Sequence, residues 1–191
     1  MRIEIHEMTT APQLIALRER RIDAGLLREP PEDEPELGFA TVLTEPFVAV
    51  LPAAHPLAAR RAVEVAELAG EPFVLLPRAE GPRLHDRIVA ICAAAGFVPR
   101  VAQRAVEWQT VCGLVEAGLG VSLAPASIRR IRLKGVAFRR IVPGARTSVA
   151  VSWRGDDENP LVAALLRTID QVGGPRATGS STGPSVISDV E

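Results

Sequence analysis

The chain has 191 residues, a formal net charge of −1 and 47% hydrophobic residues. This length suits one or two domains, and the apolar fraction is high enough for a packed core, which excludes wholesale disorder. A net charge near zero excludes a chain that binds nucleic acid through positive charge over its whole surface. The apolar runs are too short to cross a bilayer and the first residues lack a signal-peptide pattern, so we expect a cytoplasmic protein without membrane contact.

The first segments predict a unit of strand, helix and strand. Residues 2–7 alternate apolar and polar side chains, which is typical of a strand. Thr10 and Gln13 match a capping box at the start of a helix. Residues 22–27 form a further apolar run that predicts a second strand. Two strands joined by a short helix favour a parallel sheet with a right-handed crossover.

A sharp change of composition follows these segments. Residues 29–36 contain five acidic residues and three prolines, so we expect a loop there. Two apolar runs, residues 39–43 and 47–51, are separated by a segment that contains Pro46. Because a proline restricts the preceding residue to extended conformations, we expect Glu45 to be extended where the chain crosses between two lobes.

The rest of the chain continues to alternate strands and helices. Periodicity predicts strands at 73–76, 101–104, 121–124, 136–138 and 148–153, and helices at 84–95, 107–117 and 160–172. We expect the last helix to bury Leu161, Leu165 and Ile169. Cys92 lies on the apolar face of its helix and belongs to the predicted core, whereas Cys112 fits either the core or a contact between lobes.

Residues 173–191 differ in composition from everything before them. Twelve of these 19 residues are Gly, Ser, Thr or Pro. Such a segment cannot bury enough apolar surface to fold, so we expect a disordered tail.

A search for catalytic motifs finds nothing that predicts an enzyme. The chain has no nucleophile elbow and no zinc motif, and its three histidines are far apart in sequence. Residues 113–120 (GLVEAGLG) superficially resemble a phosphate loop but lack the Lys-Ser/Thr pair, so we interpret them as a helix end and a turn. The two cysteines form no disulfide framework. We therefore expect no cofactor and no metal.

One basic run stands out. Residues 129–140 contain six basic residues and no acidic one. The favoured interpretation is a solvated surface, and the alternative is an oligomer contact with an acidic surface such as residues 29–36. Direct DNA binding is less favoured because no helix-turn-helix pattern accompanies the run.

Polar residues also stand at three predicted helix starts. Thr10, Arg83 and Glu107 each lie where a helix follows a strand. A helix start offers free N–H groups and partial positive charge, which suits a carboxylate ligand. Three such starts meeting at a cleft would bind a small anion, but Thr10 is equally consistent with a simple cap.

The chain resembles the effector-binding domain of LysR-type transcriptional regulators over about residues 2–172, in particular the branch that senses aromatic-degradation products such as muconates. The segments that carry the resemblance are EMTTAPQLIALRERRIDAGLLR (7–28), EPFVAVLPAAHPLA (45–58), ELAGEPFVLLPR (67–78), AGFVPR (95–100) and QTVCGLVEAGLGVSLAPASI (109–128).

The resemblance implies an α/β fold of two lobes, like type 2 periplasmic binding proteins, with the ligand between them. One lobe would comprise residues 1–44 with 148–172, and the other residues 45–147. The family also implies assembly into homo-oligomers and a small organic anion as effector.

Site residues follow from the same resemblance. In the muconate-sensing branch, the threonine that matches Thr10 binds the effector carboxylate. Pro82 and Leu84 match a proline and an aromatic residue of the pocket wall, so ring contacts are lost here. Trp108 replaces a smaller residue and would narrow the pocket. Arg28 and Glu45 match, by residue type, positions of a second effector pocket.

The chain departs from the family pattern at its start. The winged helix-turn-helix, the linker helix and the first strand and helix of the effector domain have no counterpart, so we expect an N-terminally truncated domain. DNA binding is then expected only through a helix-turn-helix that this chain does not contain. We also expect residues 2–27 to be less protected than residues 47–140.

Three functions compete. The favoured hypothesis is the ligand-sensing domain of a regulator, or a truncated copy of one. A stand-alone binding protein of the same fold is the alternative, and an enzyme of this fold is disfavoured because no nucleophile or metal set is recognisable. An upstream reading frame encoding a helix-turn-helix would favour the first.

Overall fold

The protein is described here by a computed structural model that covers residues 3–31, 33–130 and 133–172. Within these residues, four α-helices form in chain order: α1 (Thr10–Arg18), α2 (Pro82–Ala94), α3 (Trp108–Glu116) and α4 (Pro160–Val172). The strands are β1 (Ala24–Arg28), β2 (Leu37–Pro52), β3 (Ala62–Glu64), β4 (Pro72–Leu75), β5 (Arg100–Arg104), β6 (Ser122–Pro125), β7 (Val136–Val142) and β8 (Arg146–Arg154). The alternation of strands and helices confirms the predicted α/β class.

The long strand β2 organises the molecule. Its first part, residues 37–46, pairs antiparallel with β8, and β8 pairs in turn with β1. Its second part, residues 47–52, pairs antiparallel with β6 and β7. The two apolar runs predicted as separate segments are therefore one continuous strand. Pro46 fits there because β2 changes partners at this point, and Glu45 is extended as predicted.

The second part of β2 is buried on both faces. Its alternate side chains belong to two different hydrophobic clusters, since successive side chains of a strand point to opposite sides. Cluster one contains Phe47, Ala49, Leu51, Phe73, Leu75, Ile88 and Cys92, among others. Cluster two contains Val48, Val50, Val74, Val111, Cys112 and Val115, among others. This double burial explains the unbroken apolar sequence of the segment.

The prediction of a parallel unit at the start of the chain is wrong. Residues 3–9 form no strand, and the side chains of Ile3 and Ile5 are 69% and 90% exposed. β1 lies at one end of the larger sheet and pairs antiparallel with β8. Among the described residues, no strand lies beside residues 3–9 to form hydrogen bonds with them. The alternation of apolar and polar side chains is therefore not enough to make this segment a strand.

Two finer predictions about the helices also need correction. The N-cap of α1 is Thr9 rather than Thr10, and the amide of Gln13 donates to the carbonyls of Met8 and Leu26 instead of closing a capping box. On α4, the helix itself is confirmed, but Leu161 and Leu165 remain 47% and 40% exposed while Val162 is buried.

Other predictions are confirmed. The remaining predicted strands and helices appear within a few residues of their expected bounds. Gly96 and Gly118, which follow α2 and α3, have φ angles of 88° and 76°, as helix ends of this kind require. The predicted disordered tail, residues 173–191, lies outside the described residues. In the described part of the chain, no helix is long and apolar enough to cross a membrane.

Candidate ligand-binding site

Helix α1 is held in place by contacts near both of its ends. Arg154 on β8 is buried, and its guanidinium donates to the carbonyl of Leu17 in the last turn of α1 and to the carbonyl of Ile22 just after the helix. The same guanidinium pairs with Asp157. At the other end, Gln13 binds the backbone of β1 at Leu26. These contacts fix the helix axis, and therefore the direction in which its first turn points.

Thr10 occupies the first position of α1 and is half-buried. Its hydroxyl donates to the carbonyl of Arg28 across 3.4 Å, a long and weak hydrogen bond. A donor held this weakly can be redirected to a ligand at small cost. The prediction that Thr10 caps the helix is wrong, and its role as a ligand contact stays a prediction.

The loop before α2 contacts the first turn of α1. The hydroxyl of Thr9 donates to the carboxylate of Glu80 (Oγ1 to Oε2, 2.7 Å), and the backbone N–H of Ala11 donates to the carbonyl of Glu80 at 3.2 Å. Pro82, two residues after Glu80, is the first residue of α2. The structure thus brings together the helix start that carries Thr10 and the segment that carries Pro82.

The two residues after Pro82 lie in different environments. Arg83 is exposed. Leu84 is 6% exposed and packs within cluster one. The Leu84 side chain, which was predicted to line the ligand pocket, is therefore part of the hydrophobic core. Only a small part of its surface is accessible to a ligand.

Trp108 begins α3 and lies between the two cores. Its side chain is half-buried and packs against both clusters. The preceding residue, Glu107, is the N-cap of α3 and its side chain makes no cap hydrogen bond. Among the described residues, no hydrogen bond or ion pair links either of them to α1, so the three helix starts are not all joined directly.

Arg28 and Glu45 contact each other where β2 changes partners. A guanidinium N–H of Arg28 donates to Glu45 (Nη2 to Oε1, 3.0 Å), and the side chains are 21% and 8% exposed. The hydroxyl of Ser127 donates to the same carboxylate at 2.9 Å, and the backbone N–H of Ser127 donates to its other oxygen. Glu45 thus joins β1, β2 and the short helix Ala126–Arg130.

Two polar atoms beside this ion pair are buried without a described hydrogen-bond partner. They are the Nη1 atom of Arg28 and the hydroxyl of Thr147. Thr147 stands opposite Glu45 in the ladder between β2 and β8. A buried donor without a partner is costly, so this position favours an additional acceptor.

Two histidines and both cysteines make contacts within the fold. His55 accepts from the N–H of Leu57 and lies 3.1 Å from Glu71, and the ring of His85 lies 2.8 Å from the carbonyl of Leu76. Burial raises the pKa of the Cys92 thiol to about 11 and also raises the pKa of Cys112. Both thiols are free and buried, which places Cys112 in the core. No group of three or more His, Cys, Asp or Glu side chains in the described ranges could hold a metal ion.

A comparison with known protein families decides the identity of this fold. The family described as the LysR substrate binding domain matches residues 1–173. The chain belongs to the LysR substrate-binding domain family. The type 2 periplasmic-binding-protein-like fold predicted from the sequence is thereby confirmed.

The relatives of this LysR domain are named transcriptional regulators. The chain is 35% identical over 173 residues to the HTH-type transcriptional regulator IlvR of Caulobacter vibrioides, and 36% identical over 174 residues to CatR of Pseudomonas putida. It covers 58% and 59% of these relatives' lengths, with 90% of its own length in each case. Membership of this family confirms the prediction that the domain is not an enzyme.

A solved structure supports the same assignment. The BenM effector-binding domain with its effector benzoate is 31% identical, with a TM-score of 0.73, and the match covers 90% of this chain and 78% of that one. The fold of the LysR domain is therefore shared with a domain that binds a small aromatic carboxylate.

In this LysR domain, the contacts made by Thr9, Glu80 and Ser127 were not predicted from the sequence. Glu80 precedes Gly81-Pro82, a pattern that indicates a helix start, but nothing in the local sequence pairs it with α1, some 70 residues away. Ser127 lies 82 positions from Glu45. Contacts at such separation depend on the tertiary fold and leave no mark in local periodicity.

Proposed function

We propose that this domain is the ligand-sensing part of a LysR-type transcriptional regulator and that it binds a small organic carboxylate beside the start of α1. The observation that carries the proposal is the family match over nearly the whole described chain, together with a benzoate-binding structural relative. In this proposal, Thr10 donates to the ligand carboxylate, and Pro82, Arg83, Leu84 and Trp108 border the site.

We also propose a division into two lobes whose boundary lies within two residues of the change of partner along β2. Residues 1–44 with 148–172 form one lobe and residues 45–147 the other, so the ligand lies between them. The support is that β2 pairs with β8 before residue 47 and with β6 and β7 after it.

We further propose that Arg28 and Glu45 border a second anion position. The support is the buried Nη1 atom of Arg28, which has no partner among the described residues. A guanidinium can bind a carboxylate with two parallel hydrogen bonds, and here one of its nitrogen atoms is already occupied by Glu45.

We also propose that this domain takes part in the regulation of transcription. The domain would act in the cytoplasm within a homo-oligomer, and DNA recognition would reside in a helix-turn-helix domain rather than in this one. The support is that the relatives are named HTH-type regulators and that this chain spans less than three fifths of their lengths.

The test is a thermal-shift screen followed by calorimetry. The panel contains benzoate, muconate and small aliphatic carboxylates, with matched neutral amides as controls. A ligand at about 100 times its Kd adds about 2.7 kcal/mol of stability. For a domain of this size this is a rise in Tm of roughly 5–10 °C.

Thr10→Ala is the variant that tests the proposed contact. Loss of a hydrogen bond to a charged ligand should weaken binding roughly tenfold or more. Thr168→Ala is the matched control, because its exposed hydroxyl only donates to the carbonyl of Ala164 at 2.9 Å. Equal affinities of Thr10→Ala and the control would show that Thr10 does not bind the ligand.

A further inference from the structure

We infer that Glu80 determines the specificity of the proposed ligand site, because its carboxylate occupies the start of α1, where the ligand carboxylate would bind. The inference rests on the proposed function. In this inference, the Glu80 carboxylate competes with an anionic ligand for the start of α1. The ligand must either displace this carboxylate or bind beside its negative charge.

The contacts of Glu80 place it at this position through both its side chain and its backbone. Its carboxylate accepts the hydroxyl of Thr9 at 2.7 Å. Its carbonyl accepts the backbone N–H of Ala11 at 3.2 Å. Ala11 is the second residue of α1, so this N–H is one of those that a helix start leaves without a partner inside the helix. Two oxygen atoms of one residue thus bind donors at the start of α1, next to Thr10, the proposed ligand contact.

The loop that presents Glu80 is fixed to α2 by its own contacts. The ring of His85 binds the carbonyl of Leu76 at 2.8 Å, and the N–H of Glu80 donates to the carbonyl of Pro77 at 3.1 Å. A side chain at Gly81 would place its Cβ 2.7 Å from the side chain of Leu76, so the loop is tightly packed there. The carboxylate of Glu80 is therefore carried on a positioned element.

The charge of Glu80 has a direct consequence for ligand choice. A ligand carboxylate beside the same helix start either replaces the Glu80 carboxylate on Thr9 or lies next to a second negative charge. Both cases lower the affinity for anions, and the repulsion is larger for a dianion than for a monoanion. Glu80 therefore favours ligands with one negative charge over those with two.

The experiment compares three proteins by calorimetry with benzoate as the monoanion and muconate as the dianion. Glu80→Gln removes the charge but keeps an oxygen that accepts the Thr9 hydroxyl. Glu158→Gln makes the same charge change at an exposed residue just before α4 and serves as the control. We expect Glu80→Gln to bind benzoate about threefold and muconate about tenfold more tightly than the unmodified domain. The control should stay within twofold.

The outcomes separate this inference from the proposed function. If the unmodified domain binds either anion and Glu80→Gln binds it no more tightly, Glu80 is not a competitor and the inference is wrong. If none of the three proteins binds an anion, the proposed function is wrong and the specificity role falls with it.

Discussion

Glu45 shows at the scale of a single residue how this fold is held at the point where β2 changes partners. Its carboxylate is 8% exposed and accepts from a guanidinium, a hydroxyl and a backbone N–H. A buried carboxylate is tolerated only when its oxygens are satisfied in this way. The sequence indicated an extended residue before Pro46, whereas the partners of Glu45, Arg28 and Ser127, come from distant segments.

Glu45→Ala should destabilise the domain by about 2–4 kcal/mol, because it leaves the largely buried Arg28 without its counter-ion. The measurement is urea unfolding at pH 7. Asp86→Ala is the control, because the Arg78–Asp86 pair has side chains that are 66% and 49% exposed, and an exposed ion pair contributes little to stability. Equal losses in the two variants would contradict the structural role of Glu45.

The elements of the fold were predictable to different degrees. β4 is a continuous apolar run and α2 has a clear helical period that ends at Gly96, and the structure has both within two residues of the predicted bounds. Residues 3–9 show the opposite, because an alternating pattern gives a strand only when a partner lies beside it. α4 is an intermediate case, since its helical period was evident but the face that it buries depends on neighbouring elements.

The candidate site divides in the same way. Thr10, Arg83 and Glu107 were singled out because each stands near a helix start that the local sequence indicates. Pro82, Leu84 and Trp108 were implied only by the resemblance to the family. Glu80 was not found, because its contact with Thr9 joins two elements that only the fold brings together. The helix starts could therefore be predicted from the sequence. Only the structure shows that Glu80 contacts the start of α1.

Trp108→Val tests whether α3 depends on the contact between the two hydrophobic clusters. We expect a loss of about 2–4 kcal/mol, because the indole packs against both clusters and valine would leave part of that volume empty. Urea unfolding measures the loss, and Val106→Ala, a truncation at a 37% exposed side chain two positions earlier, is the control. A loss below about 1 kcal/mol in Trp108→Val would show that α3 does not depend on this contact.

At the scale of the whole molecule, burial is distributed unevenly along the chain. The second part of β2 lies between two strands and between two hydrophobic clusters. β1 pairs on one side with β8 and stands at the end of the sheet, and Leu26 on it is 61% exposed. Residues 3–7 are exposed throughout. Local stability follows buried contacts and protected hydrogen bonds, so the two regions should open at different free energies.

We therefore expect native-state hydrogen exchange to be slow at the centre of β2 and in β6, and fast in residues 3–9. β1 should exchange at an intermediate rate, because its ladder with β8 protects only one edge of the strand. Mass-spectrometric exchange at pH 7 resolves these segments, and α2 provides an internal reference for a well-packed element. Protection of residues 3–9 as strong as that of β2 in a monomeric sample would mean that this segment has a strand partner, contrary to the sheet order described above.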